Sequence, residues 1–81
     1  MIFFAISYAA FESYSQLGLD NIPLWVSADV LQDEELVSLR AKGVDVSVFN
    51  YPLDQDDHLG TEAALETIRD HHPDHTVWVG L

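Results

Sequence analysis

Short apolar runs alternate with longer amphipathic segments along the chain, and this alternation constrains the fold more than any other feature. The apolar runs are rich in Val, Ile, Phe and Trp, which favour β-strands, and the amphipathic segments carry apolar residues at helical spacing. The predicted strands span residues 1–6, 22–28, 44–50 and 76–79. The predicted helices run from an N-cap at Ser7 to residue 17, from Asp29 or Asp33 to residue 42, and from a cap at Thr61 to residue 72.

This order of elements, β-α-β-α-β-α-β, predicts a single small α/β domain that covers residues 1–81. Helical connections between consecutive strands produce right-handed crossovers and therefore a parallel sheet. We expect a three-layer α/β/α arrangement around a four-stranded parallel sheet. Helices on both faces require the strand order to reverse, and the expected order is 2-1-3-4. In the alternative order, 1-2-3-4, all helices lie on one face and the other apolar face needs a partner.

The second helix and the third strand carry the clearest face predictions. On the helix, Leu36, Val37 and Leu39 are expected to face the core. In the strand, valines at positions 44, 46 and 48 alternate with Asp45 and Ser47. This alternation predicts either a partly solvated face or a position near the edge of the sheet.

The charge balance narrows the classes of partner. Only Arg40, Lys42 and Arg69 oppose 14 carboxylates, and the net charge is −11. Nucleic-acid binding and binding to anionic membranes are not expected, since both depend on Lys and Arg. A basic protein partner, cations or adaptation to high salt all remain compatible with the acidity, as does a charge that only keeps the domain soluble.

The chain contains no cysteine, so disulfides, thiolate catalysis and cysteine-ligated zinc are excluded. Nothing therefore indicates an oxidising compartment, and we expect a cytoplasmic protein. The apolar start of the chain lacks the basic flank and cleavage site of a signal peptide. No catalytic constellation and no glycine-rich phosphate loop is present, so we expect no cofactor.

The segment LDQDDHLG, residues 53–60, is the strongest candidate for a ligand site. It follows the third predicted strand, and ligands of parallel sheets bind beyond the carboxyl ends of the strands. The candidate ligand-binding residues at this edge are Asp29, Asp54, Asp56, Asp57 and His58. The spacing does not fit an EF-hand loop, whose glycine position is Leu59 here. We therefore favour the interpretation that the aspartates cap turns and the third helix.

Arg40 is added to this candidate site because it lies near the inward side of the second helix. Its stem is expected to pack while its guanidinium reaches solvent at the helix end. The alternative is an ion pair with a carboxylate, or an anchor for an anionic ligand.

Two further groups predict an interaction surface. Glu62, Glu66 and Asp70 follow each other at four-residue steps on the outer face of the third helix, where they form a carboxylate stripe. Trp25 and Trp78 lie on the strands that the expected order places at the sheet edges, where pairing between subunits is possible. A homodimer is therefore a reasonable expectation.

The sequence thus favours a non-enzymatic protein-interaction module, such as an inhibitor, an adaptor or a regulatory subunit, that uses its acidic surface. The alternative hypothesis is a domain that binds a small ligand or a divalent metal ion at the carboxyl edge of its sheet.

Overall fold

A computed structural model describes residues 1–18, 22–54 and 56–80. The chain forms four strands and three helices in strict alternation. They are β1 (Ile2–Ala5), α1 (Tyr8–Leu17), β2 (Leu24–Val26), α2 (Asp33–Ala41), β3 (Val46–Val48), α3 (His58–His71) and β4 (Val77–Gly80). All three strand pairings are parallel, which confirms the predicted α/β class with a four-stranded parallel sheet.

The predicted strand order 2-1-3-4 is wrong, because the sheet has the order β3-β2-β1-β4. The first two crossovers place β2 and then β3 on the same side of β1, and the third crossover returns the chain to the other side of β1. Asp45 and Ser47 had indicated a position near the sheet edge for the third strand. The observed order gives β3 this edge position, whereas the predicted order had placed it inside the sheet.

Two apolar layers cover the two faces of the sheet. On one face, Phe3, Leu24 and Val26 pack with residues of α1, and Leu36 and Leu39 of α2 pack against them. On the other face, the core consists mainly of residues from β1, β2, β4 and α3 and of two residues that directly follow β1 and β3; these are Ile2, Phe4, Trp25, Val77, Ala64, Ile68, Ile6 and Phe49. The helices therefore lie on both sides of the sheet, as the three-layer prediction requires.

The fully buried residues give this core its stabilising effect. Phe4, Ile2, Leu24 and Ile68 are each 0% exposed. Burial of one such side chain contributes about 1.5–3 kcal/mol relative to leaving it in water. Gly80 brings β4 close to α1, because a Cβ at this position would lie only 2.8 Å from the Cβ of Ala10.

The ends of α1 agree with the prediction. The Ser7 hydroxyl accepts the N–H of Ala10 at the start of the helix, and Gly18 ends it with a left-handed φ of 63°. Such a conformation favours glycine, because a side chain there would be strained.

The starts of the other two helices differ from the prediction. Helix α2 begins after Gln32, whose backbone N–H donates to the Glu35 carboxylate at 3.2 Å. Helix α3 begins after Asp57, so that Thr61 lies in its first turns rather than at its cap. The inward position predicted for Val37 is also wrong, since its side chain is 67% exposed. Within the described ranges, no helix has both the length and the apolar character needed to cross a membrane.

Candidate functional site

The carboxyl edge of the sheet is held together by hydrogen bonds between the segments that follow β1, β2 and β3. Ser27, directly after β2, is 1% exposed, and its hydroxyl donates to the Ile6 carbonyl at 3.0 Å. The N–H of Ala28 donates to the Tyr51 carbonyl at 3.1 Å, which ties the segment after β2 to the segment after β3. These contacts order the edge through main-chain groups and one buried hydroxyl.

The observed strand order moves the expected ligand position away from the candidate carboxylates. In doubly wound sheets, ligands bind where the strand order reverses. Here the order reverses between β1 and β4, whereas Asp29 follows β2 and Asp54 follows β3. Ser7, which follows β1, already caps α1, and Leu81, which follows β4, lies outside the described residues.

Asp29 occupies the turn after β2. Its side chain is exposed and its φ is 67°, in the left-handed region. Aspartate is one of the few residues besides glycine that visits this region with any frequency, because its short side chain can bond locally. The position is therefore that of a turn residue at the surface.

The aspartates of LDQDDHLG form a turn and a helix cap. Asp54 Oδ1 accepts the N–H of Asp56 at 3.1 Å, and Asp57 Oδ1 accepts the N–H of Gly60 at 2.9 Å. Asp57 is thereby the N-cap of α3, and any side chain at Gly60 would collide with its carboxylate. His58 is the first residue of the helix and is exposed. Gln55 lies outside the described residues.

The hypothesis of a divalent metal ion at this edge receives no support from this geometry. Among the residues that the structure describes, no group of three or more His, Asp or Glu side chains is placed to hold a metal ion. The histidines at the end of α3 instead contact an aromatic ring, since His71 and His72 lie edge-on to Trp25 at centroid distances of 5.5 and 6.2 Å.

Arg40 lies away from the other candidate residues. It is near the end of α2, and its guanidinium donates to the carbonyl of Val46, the first residue of β3, at 3.3 Å. Helix α2 runs opposite to the strands it connects, so this contact lies toward the amino edge of the sheet. Asp29 and Asp54 lie at the carboxyl edge, and Arg40 does not converge with them.

Sequence reasoning missed a contact between Tyr8 and Glu35. The Tyr8 hydroxyl, in the first turn of α1, donates to Glu35 Oε2 in the first turn of α2 at 2.9 Å. This hydrogen bond and the carboxylate charge, with a smaller effect of Glu12, raise the pKa of Tyr8 above its ordinary value of 10.0. The phenol is therefore held protonated, as a donor rather than a base. No local pattern signals this pair, because its members are 27 positions apart.

A shallow groove of about 300 Å³ runs between α1 and α2. Phe11 and Leu39 form its apolar floor, and Glu34, Glu35 and Lys42 stand at its rim. One of these rim residues, Glu35, is the carboxylate that accepts the Tyr8 hydroxyl.

The residues of the predicted interaction surface have different environments. Glu62, Glu66 and Asp70 are all exposed on α3. Trp78 is 55% exposed on the edge strand β4. Trp25 is only 8% exposed, and its predicted edge position is wrong because β2 lies inside the sheet between β1 and β3.

The fold and these sites define a small α/β protein with a four-stranded, all-parallel sheet. Comparison of the chain with family models, curated proteins and solved structures finds no match.

Proposed function

We propose that this domain is a non-enzymatic protein-interaction module that binds a basic protein partner, as an inhibitor, adaptor or regulatory subunit does. One observation carries the proposal: the stripe of Glu62, Glu66 and Asp70 lies exposed on the longest helix of the fold. Carboxylates four residues apart on a helix rise by about 6 Å per step, which gives a partner a regular row of acceptors.

Three of the carboxylates outside the stripe have a role in the fold. Asp54 and Asp57 accept main-chain N–H groups, and Glu35 accepts both the Gln32 N–H and the Tyr8 hydroxyl. These acidic residues have a role in the fold itself. Among the described residues, no side-chain hydrogen bond involves Glu62, Glu66 or Asp70, so their carboxylates are available to a partner. Like charges at this spacing cost about 0.2–0.5 kcal/mol per pair in an isolated helix, and a basic partner would offset this cost.

A binding surface of this kind acts through several charges at once. A single exposed ion pair contributes only about 0–1 kcal/mol, so three carboxylates must engage together to give useful affinity. The excess of 14 carboxylates over 3 Lys and Arg also attracts a basic partner over distance and raises its association rate. Binding should therefore weaken as salt is added.

The proposal is tested with an alanine-based helical peptide that carries Lys at every fourth position. Calorimetry compares the wild-type domain with the double variant Glu62→Lys, Glu66→Lys. The matched control is Glu12→Lys, Glu34→Lys, which changes the net charge equally at exposed positions of α1 and α2. We expect the α3 variant to weaken peptide binding by about tenfold or more and the control to weaken it by less than about threefold.

Equal losses in the two double variants would mean that the peptide senses only net charge, and the stripe would then have no specific role. Circular dichroism of each variant establishes that the fold is retained before the affinities are compared.

A ligand or metal site at the carboxyl edge is the competing hypothesis. The described residues offer no observation in its favour, because the carboxylates at this edge form caps and turns and Arg40 points elsewhere.

A further inference from the structure

The two edges of the sheet are built differently, and the β3 edge is protected. The N–H of Leu24 donates to the Asp45 carbonyl at 2.8 Å, so Asp45 directs its main-chain groups toward β2 and the next residue, Val46, directs them outward. Arg40 covers the outward carbonyl of Val46 with its guanidinium. The exposed Asp45 adds a charge beside the strand. Charged side chains of this kind discourage edge-to-edge pairing.

On the β4 edge, the main-chain groups of alternate residues point toward β1 and away from the sheet. The N–H of Ile2 donates to the Thr76 carbonyl at 2.7 Å, so Thr76 and, two residues on, Trp78 direct their main-chain groups toward β1. The N–H and C=O groups of Val77 and Val79 therefore point outward. These two residues offer the hydrogen-bonding groups that another strand would need.

The side chains of β4 also favour pairing. The strand reads VWVG and has no charged residue. Trp78 is 55% exposed and Val79 is 39% exposed, although aromatic and β-branched side chains usually gain from burial. An uncharged edge strand that exposes such side chains is a ready template for a further strand.

We propose that β4 pairs antiparallel with β4 of a second copy, around a two-fold axis at Trp78, so that the two sheets become continuous. A two-fold axis makes identical strands antiparallel and places each residue opposite its mirror position. With the axis at Trp78, Val77 faces Val79 of the other copy. Both residues direct their main-chain groups outward, so they form the hydrogen-bonded pairs.

The same register pairs the two Trp78 side chains. Their main-chain groups point inward, so they form the non-hydrogen-bonded pair, in which Cα atoms approach to about 4.5 Å. The rings lie on the same face of the sheet and cover each other, as aromatic cross-strand pairs do. One register thus satisfies the outward main-chain groups and buries the exposed tryptophan.

The neutral strand favours a second copy over a basic strand from another protein. Within residues 77–80 there is no carboxylate for a basic strand to bind and no like charge for a second copy to meet. The net charge of −11 on each copy opposes association through long-range repulsion. Salt screens this repulsion, with a Debye length of about 8 Å at physiological ionic strength. Dimerisation should therefore strengthen with salt, opposite to the binding of a basic peptide.

The first test is sedimentation analysis of two lysine variants. Val79→Lys places a charge on the β4 edge, and Val48→Lys is the matched control on the β3 edge, where a valine of nearly equal exposure, 40%, stands. We expect the wild-type domain and Val48→Lys to dimerise and Val79→Lys to raise the dimer dissociation constant by about tenfold or more. A wild-type domain that stays monomeric up to about 1 mM, or a loss of dimer in Val48→Lys alone, would overturn the proposal.

The second test does not depend on how well Val79→Lys folds. The chain has no cysteine, so Trp78→Cys introduces a single thiol. Residues of a non-hydrogen-bonded pair have Cβ atoms about 4.5–5.5 Å apart, close to the spacing of a disulfide. Mild oxidation should link Trp78→Cys into a covalent dimer far faster than Val37→Cys, which lies at an exposed site on α2. Equal linking rates would contradict the register.

Raising the salt concentration separates this proposal from the proposed function. As salt rises, the β4 proposal predicts tighter dimerisation, whereas the proposed function predicts weaker binding of the lysine peptide. Either proposal can therefore fail while the other holds.

Discussion

Tyr8 and Glu35 join the first turns of α1 and α2 through a hydrogen bond of 2.9 Å. Glu35 also accepts the Gln32 N–H at 3.2 Å, so a single carboxylate links the two helices and caps one of them. The sequence shows neither partner as unusual. The two side chains meet because of how α1 and α2 pack on the sheet. Many core residues determine this packing, so no short stretch of sequence predicts the contact.

The raised pKa of Tyr8 leads to a prediction about these two residues. Glu35→Gln removes the carboxylate charge and weakens the hydrogen bond, so the pKa of Tyr8 should fall toward 10.0. Glu12→Gln should lower it much less, because Glu12 acts through its charge alone and has the smallest effect on this pKa. The pKa of Tyr8 is measured by NMR of the labelled ring as pH rises.

The sign of the linkage follows from the direction of this shift. Because the folded-state pKa of Tyr8 is raised, its contact with Glu35 stabilises the fold below the unfolded-state pKa of about 10 and is lost as pH rises through the folded-state value. Equal effects of Glu35→Gln and Glu12→Gln on Tyr8 would contradict the assigned hydrogen bond.

At the scale of elements, the caps show what could be predicted from the sequence and what could not. Ser7 and Gly18 bound α1 as expected, because a serine before an apolar helix and a glycine after it are local signals. For α3, Thr61 and Asp57 are both plausible caps. In the structure the cap is Asp57, whose carboxylate accepts the Gly60 N–H. A side chain at position 60 would come too close to this carboxylate.

The cap of α3 yields a prediction about stability. Asp57→Ala leaves the Gly60 N–H without its acceptor and should lower the free energy of unfolding by about 0.5–2 kcal/mol. Asp56→Ala is the matched control, since the backbone rather than the side chain of Asp56 makes the contact with Asp54. It should change the stability by less than about 0.5 kcal/mol.

Urea unfolding followed by circular dichroism measures both variants. If Asp56→Ala destabilises the domain as much as Asp57→Ala does, the loop is held by interactions other than the cap. That result would favour the alternative hypothesis of a metal or ligand site in this loop.

At the scale of the whole molecule, the class of fold could be predicted and the strand order could not. The alternation of strands and helices predicts a parallel sheet, because a helix between two strands returns the chain to the end of the sheet where the first strand began. The order depends on the side of β1 to which each crossover turns, and no single residue determines this. The polar alternation of β3 was the best available indication, since it suits the edge position that β3 occupies.

The positions of the candidate site residues also differ in how far the sequence predicts them. The exposure of Glu62, Glu66 and Asp70 could be predicted from helical periodicity, which is a local property. The separation of Arg40 from Asp29 could also be predicted, because α2 returns the chain to the amino edge of the sheet and Arg40 lies near its end. The contact of Arg40 with the Val46 carbonyl could not, because it depends on how α2 packs against β3.

The net charge of −11 gives a prediction for the molecule as a whole. Repulsion among carboxylates destabilises the compact state, and salt screens it. The melting temperature should rise between about 0.01 and 0.5 M salt and then level off as the Debye length falls toward 3 Å. A steep rise that continues to molar salt would contradict this and favour the hypothesis that the acidity is an adaptation to high salt. Melting followed by circular dichroism over this range decides between the two.

Mapping amide shifts in the labelled domain tests whether it binds a basic partner through the exposed stripe on α3. The lysine peptide is titrated into it at physiological salt. We expect shifts concentrated on the outer face of α3 around Glu62, Glu66 and Asp70. Shifts concentrated at Asp29 and Asp54, or spread evenly over the acidic surface, would contradict it.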